Sequence, residues 1–247
     1  MRRLLMVGCA VLGGLYACSS RVPGRWSEGQ HAEHIHRTVT RTIDEDFLLY
    51  LPPGFSAGSA RRYPLLIFLH GSGESGRNIE AVKANGPPKL VAAGDQLPFI
   101  IASPQAREER QGFDPAVLNA MLDELLERLP IDRDRVYLTG LSMGGEWAYG
   151  WASMNPERFA AIAPVCGAWN PEAACALKHV PVWAFHGAKD DVVPIAEDRA
   201  MVEAINRCGG DAHMTVYDDR GHDVWDATYA NPELFAWLLK HRRSTGP

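Results

Sequence analysis

The chain has 247 residues, of which 46% are hydrophobic and 22% are charged, and this is enough for one globular domain with a sizeable core. Its formal net charge of -5 excludes a strongly basic surface that could neutralise a phosphate backbone. Nucleic acid is therefore not expected as a partner.

The first 18 residues have the layout of a signal peptide. Arg2 and Arg3 precede an apolar run over residues 4–17, which is too short to span a bilayer comfortably. The tetrapeptide Leu-Tyr-Ala-Cys that ends at Cys18 resembles a bacterial lipobox, which predicts lipidation of Cys18 and a membrane anchor. An ordinary signal peptide cut nearby is the alternative. Either way we expect an exported protein, periplasmic or anchored to the outer membrane.

A polar segment rich in Ser, Gly, Arg and Pro follows, and it predicts a tether over residues 19–37 before a folded domain over 38–243. Cys166, Cys175 and Cys208 belong to that domain, so at least one of the three stays unpaired within the chain. A Cys166 to Cys175 disulfide is one interpretation. A free Cys166 that acts as a small hydrophobic residue is the other.

The domain opens with two extended stretches, residues 38–43 and 47–51, which predict a hairpin. Apolar runs then alternate with helical patterns, which is typical of βαβ units and a mostly parallel sheet. Further strands are predicted at 65–69, 99–102, 136–139, 160–165, 182–185 and 214–217. Helices are predicted at 116–129, 143–154, 196–208 and 232–241. No connection is long enough for a large cap domain.

The strand at 136–139 runs directly into Gly-Leu-Ser-Met-Gly and then into a predicted helix. This is the context of a nucleophile elbow, in which Gly140 and Gly144 allow a sharp turn and expose the hydroxyl of Ser142. The alternative interpretation is a tight turn that carries an ordinary surface serine.

A serine needs a base, and the base needs an acid that orients it. Asp190 and Asp191 follow the strand at 182–185, and we prefer Asp190, with Asp191 as a loop charge or a helix cap. His222 follows the last strand and is the predicted base. His70 and His186 also end strands, but both lie upstream of the place that the order nucleophile, acid, base requires.

Two backbone donors are predicted for an oxyanion hole. Met143 supplies the N–H directly after the nucleophile, and Ser72 supplies a second one from the loop His-Gly-Ser-Gly-Glu-Ser-Gly. Gly71 in that loop is expected to let the backbone approach a substrate. A glycine-rich turn without a ligand is the alternative, whereas a phosphate-binding loop is excluded because no Lys-Ser/Thr pair follows.

Seven motifs occur in the order that resembles a bacterial group of esterase-like α/β-hydrolases, often labelled predicted peptidase and similar to polyhydroxybutyrate depolymerase and feruloyl esterase relatives. They are HGSGESG, GPPKL, SPQ, YLTGLSMGG, RFAAIAPVCG, PVWAFHGAKDDVVP and GHDVWD, spread over about residues 46–242. The resemblance implies an α/β-hydrolase fold, a doubly wound and mostly parallel sheet with helices on both faces. It also implies Ser142, Asp190 and His222 as the triad.

The resemblance further suggests that Gln105, in the motif SPQ, and Trp225, in GHDVWD, lie near the substrate pocket. The chain departs from the group where relatives tend to place tryptophan, since it has Gly112 and Phe113 there. Glu146 is also unusual for the group, and its place in a predicted helix is compatible with simple exposure to solvent.

These residues predict a serine hydrolase that cleaves carboxylic esters, either small or carbohydrate-linked, through an acyl-enzyme at the cell envelope. A serine peptidase of the prolyl-oligopeptidase-like type, acting on short peptides, is the alternative. A non-catalytic envelope binding protein is a third interpretation. The predicted chemistry needs no metal ion and no organic cofactor, and the sequence does not indicate an oligomeric state.

Overall fold

A computed structural model describes residues 40–58, 60–108 and 111–243. Every element named below belongs to one compact unit, which begins at residue 42. The predicted signal peptide, Cys18 and the tether lie outside the described residues. Among the residues that are described, no helix has the length and hydrophobicity that a membrane crossing requires.

The core of the fold is one sheet, which has seven strands in the described part of the chain. The strands are β1 (Phe47–Tyr50), β2 (Tyr63–Leu69), β3 (Ile100–Pro104), β4 (Ile131–Leu141), β5 (Ala161–Val165), β6 (Val182–Gly187) and β7 (Ala212–Tyr217). They lie in the order β1-β3-β2-β4-β5-β6-β7. Only β1 runs antiparallel to its neighbour, β3, and all other pairs are parallel.

Helices cover both faces of this sheet. They are α1 (Gly86–Ala92), α2 (Pro115–Arg128), α3 (Met143–Met154), α4 (Ile195–Arg207), α5 (Trp225–Tyr229) and α6 (Pro232–Lys240). Because side chains alternate along a strand, Leu65 and Ile67 of β2 pack in the core under α2, α3 and α4, while Leu66 and Phe68 pack in a second core under α1, α5 and α6. The predicted doubly wound fold is confirmed, and the described residues contain no large cap.

The predicted hairpin at the start of the domain is wrong. Residues 40–46 form no strand, residues 38 and 39 lie outside the described part, and β1 pairs with β3 instead. The segment before β1 is tied to the residues after β3, because the guanidinium of Arg107 donates to the carboxylate of Glu45 at 2.6 Å and to the carbonyl oxygen of Asp44 at 3.0 Å. The segment before β1 is therefore held by an ion pair to the segment after β3, and not by a hairpin turn to a neighbouring strand.

The suggested Cys166 to Cys175 disulfide is also wrong. Cys175 is bonded to Cys208, and Cys166 is free and buried. Cys175 lies in a short 3-10 helix, Pro171–Leu177, that packs against α4, and Cys208 directly follows α4. Cys166 directly follows β5, an inner strand of the sheet, and its side chain packs in the core as the small buried residue that was the second interpretation.

Candidate active site

Ser142 occupies a sharp turn between β4 and α3. Its backbone has φ 52° and ψ -120°, a conformation that is costly for any residue with a side chain. Two hydrogen bonds hold the turn: the N–H of Ser142 donates to the carbonyl oxygen of Val165 at 2.8 Å, and the N–H of Glu146 donates to the carbonyl oxygen of Ser142 at 2.9 Å. The sharp strand-to-helix turn predicted from the Gly-Leu-Ser-Met-Gly motif is present.

The two glycines of the motif lie where the backbones of β2, β4 and α3 meet. A Cβ atom on Gly140 would lie 2.3 Å from the carbonyl oxygen of Gly144, and a Cβ on Gly144 would lie 2.0 Å from that of Leu69. Neither position has room for a side chain. This close packing fixes the place of Ser142 relative to the rest of the sheet.

His222 lies in the loop after β7 and reaches the serine. Its Nε2 atom is 2.9 Å from Oγ of Ser142, and its Nδ1 atom is 2.7 Å from Oδ2 of Asp190. A carboxylate only accepts, so Nδ1 carries the proton, and Nε2 is left to accept the hydrogen bond that the Ser142 hydroxyl donates. This is the tautomer that a general base needs.

Asp190 is the acid that the structure brings to His222, whereas Asp191 is exposed. The other oxygen of Asp190, Oδ1, accepts hydrogen bonds of 2.9 Å from the N–H groups of Val192 and Val193. Burial alone would raise the pKa of Asp190, but the hydrogen bonds from His222 and from the two backbone N–H groups hold that pKa below its ordinary value. Asp190 is thus an anion with a fixed orientation.

The glycine-rich loop after β2 lies against the elbow. A Cβ on Gly71 would lie 2.7 Å from Cδ1 of Leu141 and 3.7 Å from its carbonyl oxygen, directly before the serine. Ser72 then begins a short 3-10 helix, Ser72–Glu74. On the other side, Met143 is the first residue of α3, where an N–H has no preceding helical carbonyl to bond. The two predicted oxyanion donors therefore lie on segments that meet at Ser142.

Gln105 contacts this loop through its side chain. Its Nε2 atom donates to the carbonyl oxygens of Glu74 at 2.7 Å and Asn78 at 2.9 Å, so both amide hydrogens are committed to backbone. Gln105 therefore stabilises the glycine-rich loop after β2 through its side chain. Trp225, the other residue expected near the pocket, lies with its ring edge-on to that of His222, at 5.5 Å between ring centroids.

Gly112 and Phe113, where the chain departs from the related group, both contact aromatic rings. Phe113 is buried, with its ring centroid 5.0 Å from that of His70, and Gly112 has φ 63° and lies against the indole of Trp147. A Cβ on Gly112 would lie 2.1 Å from Nε1 of that indole. An indole from α3 thus lies beside the loop position at which relatives tend to carry tryptophan.

Glu146 does not simply face solvent, as its place in a helix suggested. It lies in the first turn of α3 and is half-buried. Burial raises the pKa of Glu146 and the nearby charge of Glu197 raises it further, while His222 acts in the opposite direction. The Glu146 carboxyl is therefore close enough to feel the charge of His222.

Three further polar side chains lie behind the triad, and the sequence did not identify them as part of the site: His186, Asp198 and Tyr149. His186 was set aside because of its position in the chain. Asp198 had a signal that could have been used, since it shares the buried face of α4 with Met201 and Ile205 at helical spacing. A carboxylate on an apolar helix face requires a buried partner.

Ligand atoms of Cys166, His186 and Asp190 lie within 4.8 Å of one another, which is close enough to surround a metal ion. All three groups already have protein partners. The Sγ of Cys166 donates to the carbonyl oxygen of His222 at 3.0 Å. His186 is hydrogen-bonded to the carbonyl oxygen of Val193, and Asp190 accepts from the N–H of the same residue. The cluster is therefore better described as a hydrogen-bonded network.

Comparison with known proteins places this geometry in a family. Residues 98–231, more than half of the chain, match the family described as Phospholipase/Carboxylesterase. The chain belongs to the phospholipase/carboxylesterase family. The matched region of this chain contains all three triad positions as well as Gln105, Gly112 and Trp225.

Known relatives match this chain over only part of their own length. The bifunctional acetylxylan esterase/xylanase of Neocallimastix patriciarum is 30% identical over 154 residues, which are 60% of this chain and 22% of that protein. The probable feruloyl esterase C of Aspergillus flavus is 24% identical over 63% of this chain and 58% of its own length. The chain thus spans less than two thirds of these relatives. A crystal structure of a thermostable esterase is 28% identical, with a TM-score of 0.68 over 80% of this chain and 59% of that one.

Proposed function

We propose that the protein is a serine hydrolase of carboxylic esters. The observation that carries this proposal is the pair of hydrogen bonds, 2.9 Å and 2.7 Å, that joins Ser142 to His222 and His222 to Asp190. Such an arrangement makes an otherwise unreactive hydroxyl nucleophilic, because the base takes its proton during attack. Membership in the phospholipase/carboxylesterase family supports the same chemistry.

In the proposed reaction, Ser142 attacks the ester carbonyl while Nε2 of His222 removes the hydroxyl proton. The resulting imidazolium is stabilised by Asp190, and the backbone N–H groups of Met143 and Ser72 donate to the oxyanion of the tetrahedral intermediate. His222 then protonates the leaving alcohol, and an acyl-enzyme remains on Ser142. Water repeats the sequence and releases the acid.

For the substrate we propose small or carbohydrate-linked acyl esters, such as acetyl or feruloyl esters. Two relatives carry acetylxylan esterase and feruloyl esterase in their names, and the described residues form no large cap that would exclude a bulky alcohol. Ester cleavage is also easier than amide cleavage for such a site, because an alkoxide leaves with less assistance than an amine.

The test compares hydrolysis of p-nitrophenyl acetate, a feruloyl ester and short peptide amides by the wild-type protein and by Ser142→Ala. We expect ester turnover by the wild type and loss of at least about a thousandfold in kcat in the variant. A serine-directed phosphonate should label only the peptide that contains Ser142. Preferential cleavage of peptide amides would support the peptidase alternative, and absence of both turnover and labelling would leave the binding protein.

We also propose export and attachment to the membrane through a lipid on Cys18. The support is the sequence alone, namely the basic start, the short apolar run and the lipobox-like residues before Cys18. Labelling of cells with radioactive palmitate should mark the wild-type protein and leave Cys18→Ser unlabelled. An unlabelled wild type in the soluble envelope fraction would favour the ordinary signal peptide.

A further inference from the structure

A second histidine lies directly behind the acid of the triad. His186 is the fifth residue of β6, and its side chain is completely buried. Its Nε2 atom is 2.9 Å from the carbonyl oxygen of Val193 and 3.1 Å from Oδ2 of Asp190, the same oxygen that accepts from His222. A carbonyl oxygen only accepts, so Nε2 of His186 carries a proton and donates it to Val193, while the ring lies within ion-pair distance of the Asp190 carboxylate.

The other side of the His186 ring is held by a buried carboxyl group. Nδ1 of His186 is 2.8 Å from Oδ2 of Asp198, and the hydroxyl of Tyr149 donates to Oδ1 of Asp198 at 2.6 Å. Asp198 and Tyr149 are both fully buried. Hydrogen bonds therefore run from Tyr149 through Asp198 to His186, and an ion-pair contact of 3.1 Å joins His186 to Asp190, which is hydrogen-bonded to His222.

The charges of this network favour a proton on His186. Burial alone would lower the pKa of His186, but the hydrogen bonds that His186 donates to Asp198 and to the carbonyl oxygen of Val193, together with the negative charges of Asp198 and Asp190, raise it above its ordinary value. Burial also raises the pKa of Asp198, against its hydrogen bonds from His186 and Tyr149. Both shifts favour a proton that is held between these two groups.

We propose that His186 is a positioning residue for the triad: the contact of its Nε2 atom with Oδ2 of Asp190 holds that carboxylate in place and offsets part of the negative charge that Asp190 presents to His222. The proposal rests on the proposed function, because it acts through the triad. Three titratable groups face His186: Asp190 in the loop after β6, Asp198 of α4, and Cys166 directly after β5. Tyr149 of α3 lies behind Asp198.

Loss of this contact has a defined consequence for the pH dependence. Without the positive charge of His186 beside it, Asp190 acts on His222 with its full negative charge. The imidazolium form of His222 then becomes more favourable, and a higher pH is needed to free its Nε2 for catalysis. The acidic limb of the profile of kcat/KM against pH should therefore move to higher pH.

Two amide variants of His186 separate positioning from packing. The amide of His186→Asn reaches about as far as Nδ1, so it keeps a partner for Asp198 and loses the contact with Asp190. The amide of His186→Gln reaches about as far as Nε2, so it keeps a donor for Asp190. Both variants remove the imidazole ring from the core, and a role in packing alone would affect them alike.

We expect His186→Asn to lower kcat by about tenfold to a hundredfold with little change in KM, as is common when the outer partner of a site residue is removed. The midpoint of its acidic limb should rise by about half a pH unit or more. His186→Gln should retain kcat to within about threefold of the wild type. His213→Gln, an exposed histidine on β7, is the matched control and should match the wild type in both measurements.

Equal losses in His186→Asn and His186→Gln, or an unmoved acidic limb in His186→Asn, would overturn the proposal. If His186→Asn does not fold, as judged by circular dichroism, the isosteric variant Asp198→Asn replaces it. That variant removes the charge that keeps His186 protonated, and the same shift of the limb is expected. The proposed function is tested separately: if the wild type neither hydrolyses esters nor takes up phosphonate at Ser142, the proposed function fails and this inference fails with it.

Discussion

At the scale of single residues, the sequence predicts which groups meet, because polar residues that directly follow parallel strands share one edge of the sheet. Ser142, Asp190 and His222 each follow a strand, and the structure brings them within hydrogen-bond distance. The position of His186 could not be predicted in this way. Its role depends on the contact with Asp198, and this contact is set by how α4 packs on the sheet, which the order of residues in the chain does not reveal.

The choice between Asp190 and Asp191 gives the first prediction. Asp190→Asn should lower kcat by about a thousandfold to ten-thousandfold, because an amide at this position lets His222 adopt the wrong tautomer. Asp191→Asn, a neighbouring and exposed carboxylate, should leave kcat within about twofold. Steady-state kinetics with p-nitrophenyl acetate measures both. A larger loss in Asp191→Asn than in Asp190→Asn would reverse the assignment of the acid.

Cys166 gives a second prediction at this scale. Burial, reinforced by the negative charge of Asp190, raises the pKa of its thiol far above the ordinary value, so the reactive thiolate is absent at neutral pH. Iodoacetamide at pH 8 should therefore leave Cys166 unlabelled in the native protein and label it completely in guanidinium chloride. Fragment-ion mass spectrometry assigns the label. The disulfide cysteines serve as the internal control, since they should stay unlabelled in both conditions, and labelling of native Cys166 would contradict the prediction.

At the scale of elements, periodicity predicted the buried strands and the four longer helices, while short elements were missed. Helix α1 begins Gly86-Pro87-Pro88, and no helix was predicted there because adjacent prolines are typical of loops. Proline is nevertheless tolerated in the first turn of a helix. Helix α5 has only five residues, too few for a periodic pattern. The predicted hairpin over residues 38–51 failed because residues 40–43 form no strand and because alternation does not identify the partner of β1, which is β3.

The elbow between β4 and α3 gives a prediction about stability. Gly144→Ala should lower the free energy of unfolding by about 2 kcal/mol or more, because the added Cβ would lie 2.0 Å from the carbonyl oxygen of Leu69 and the backbones must separate. It should also lower kcat, since Ser142 moves with the turn. Gly58→Ala is the matched control because no atom lies within 4 Å of its Cβ position. Urea unfolding measures both, and equal stabilities would show that the elbow can relax without cost.

At the scale of the whole molecule, the sheet separates two cores, and one disulfide supports the core that contains α2, α3 and α4. The bond between Cys175 and Cys208 joins the connection from β5 to β6 to the end of α4, the helix that carries Asp198. Three cysteines of the domain are candidates for a disulfide, and sequence alone carries no geometry that selects the pair. The proposed export would place this bond in an oxidising compartment, where disulfides persist.

The disulfide leads to a prediction about global stability. The double variant Cys175→Ser, Cys208→Ser should lose about 3 kcal/mol of unfolding free energy, because the bond closes a loop between residues 33 apart in sequence. Guanidinium unfolding with and without dithiothreitol measures this. The reductant should lower the stability of the wild type to that of the double variant and leave the variant unchanged. A wild type that is insensitive to reductant even when unfolded would argue against the bond.

The half-buried carboxyl of Glu146 beside His222 affects the last step of the proposed reaction. In the proposed reaction an ester enters uncharged, whereas the acid that leaves is an anion at neutral pH. The negative charge of Asp190, and that of Glu146 when it is ionised, repels this anion while leaving an uncharged ester unaffected. We therefore expect the acid product of the proposed reaction to inhibit the enzyme only weakly.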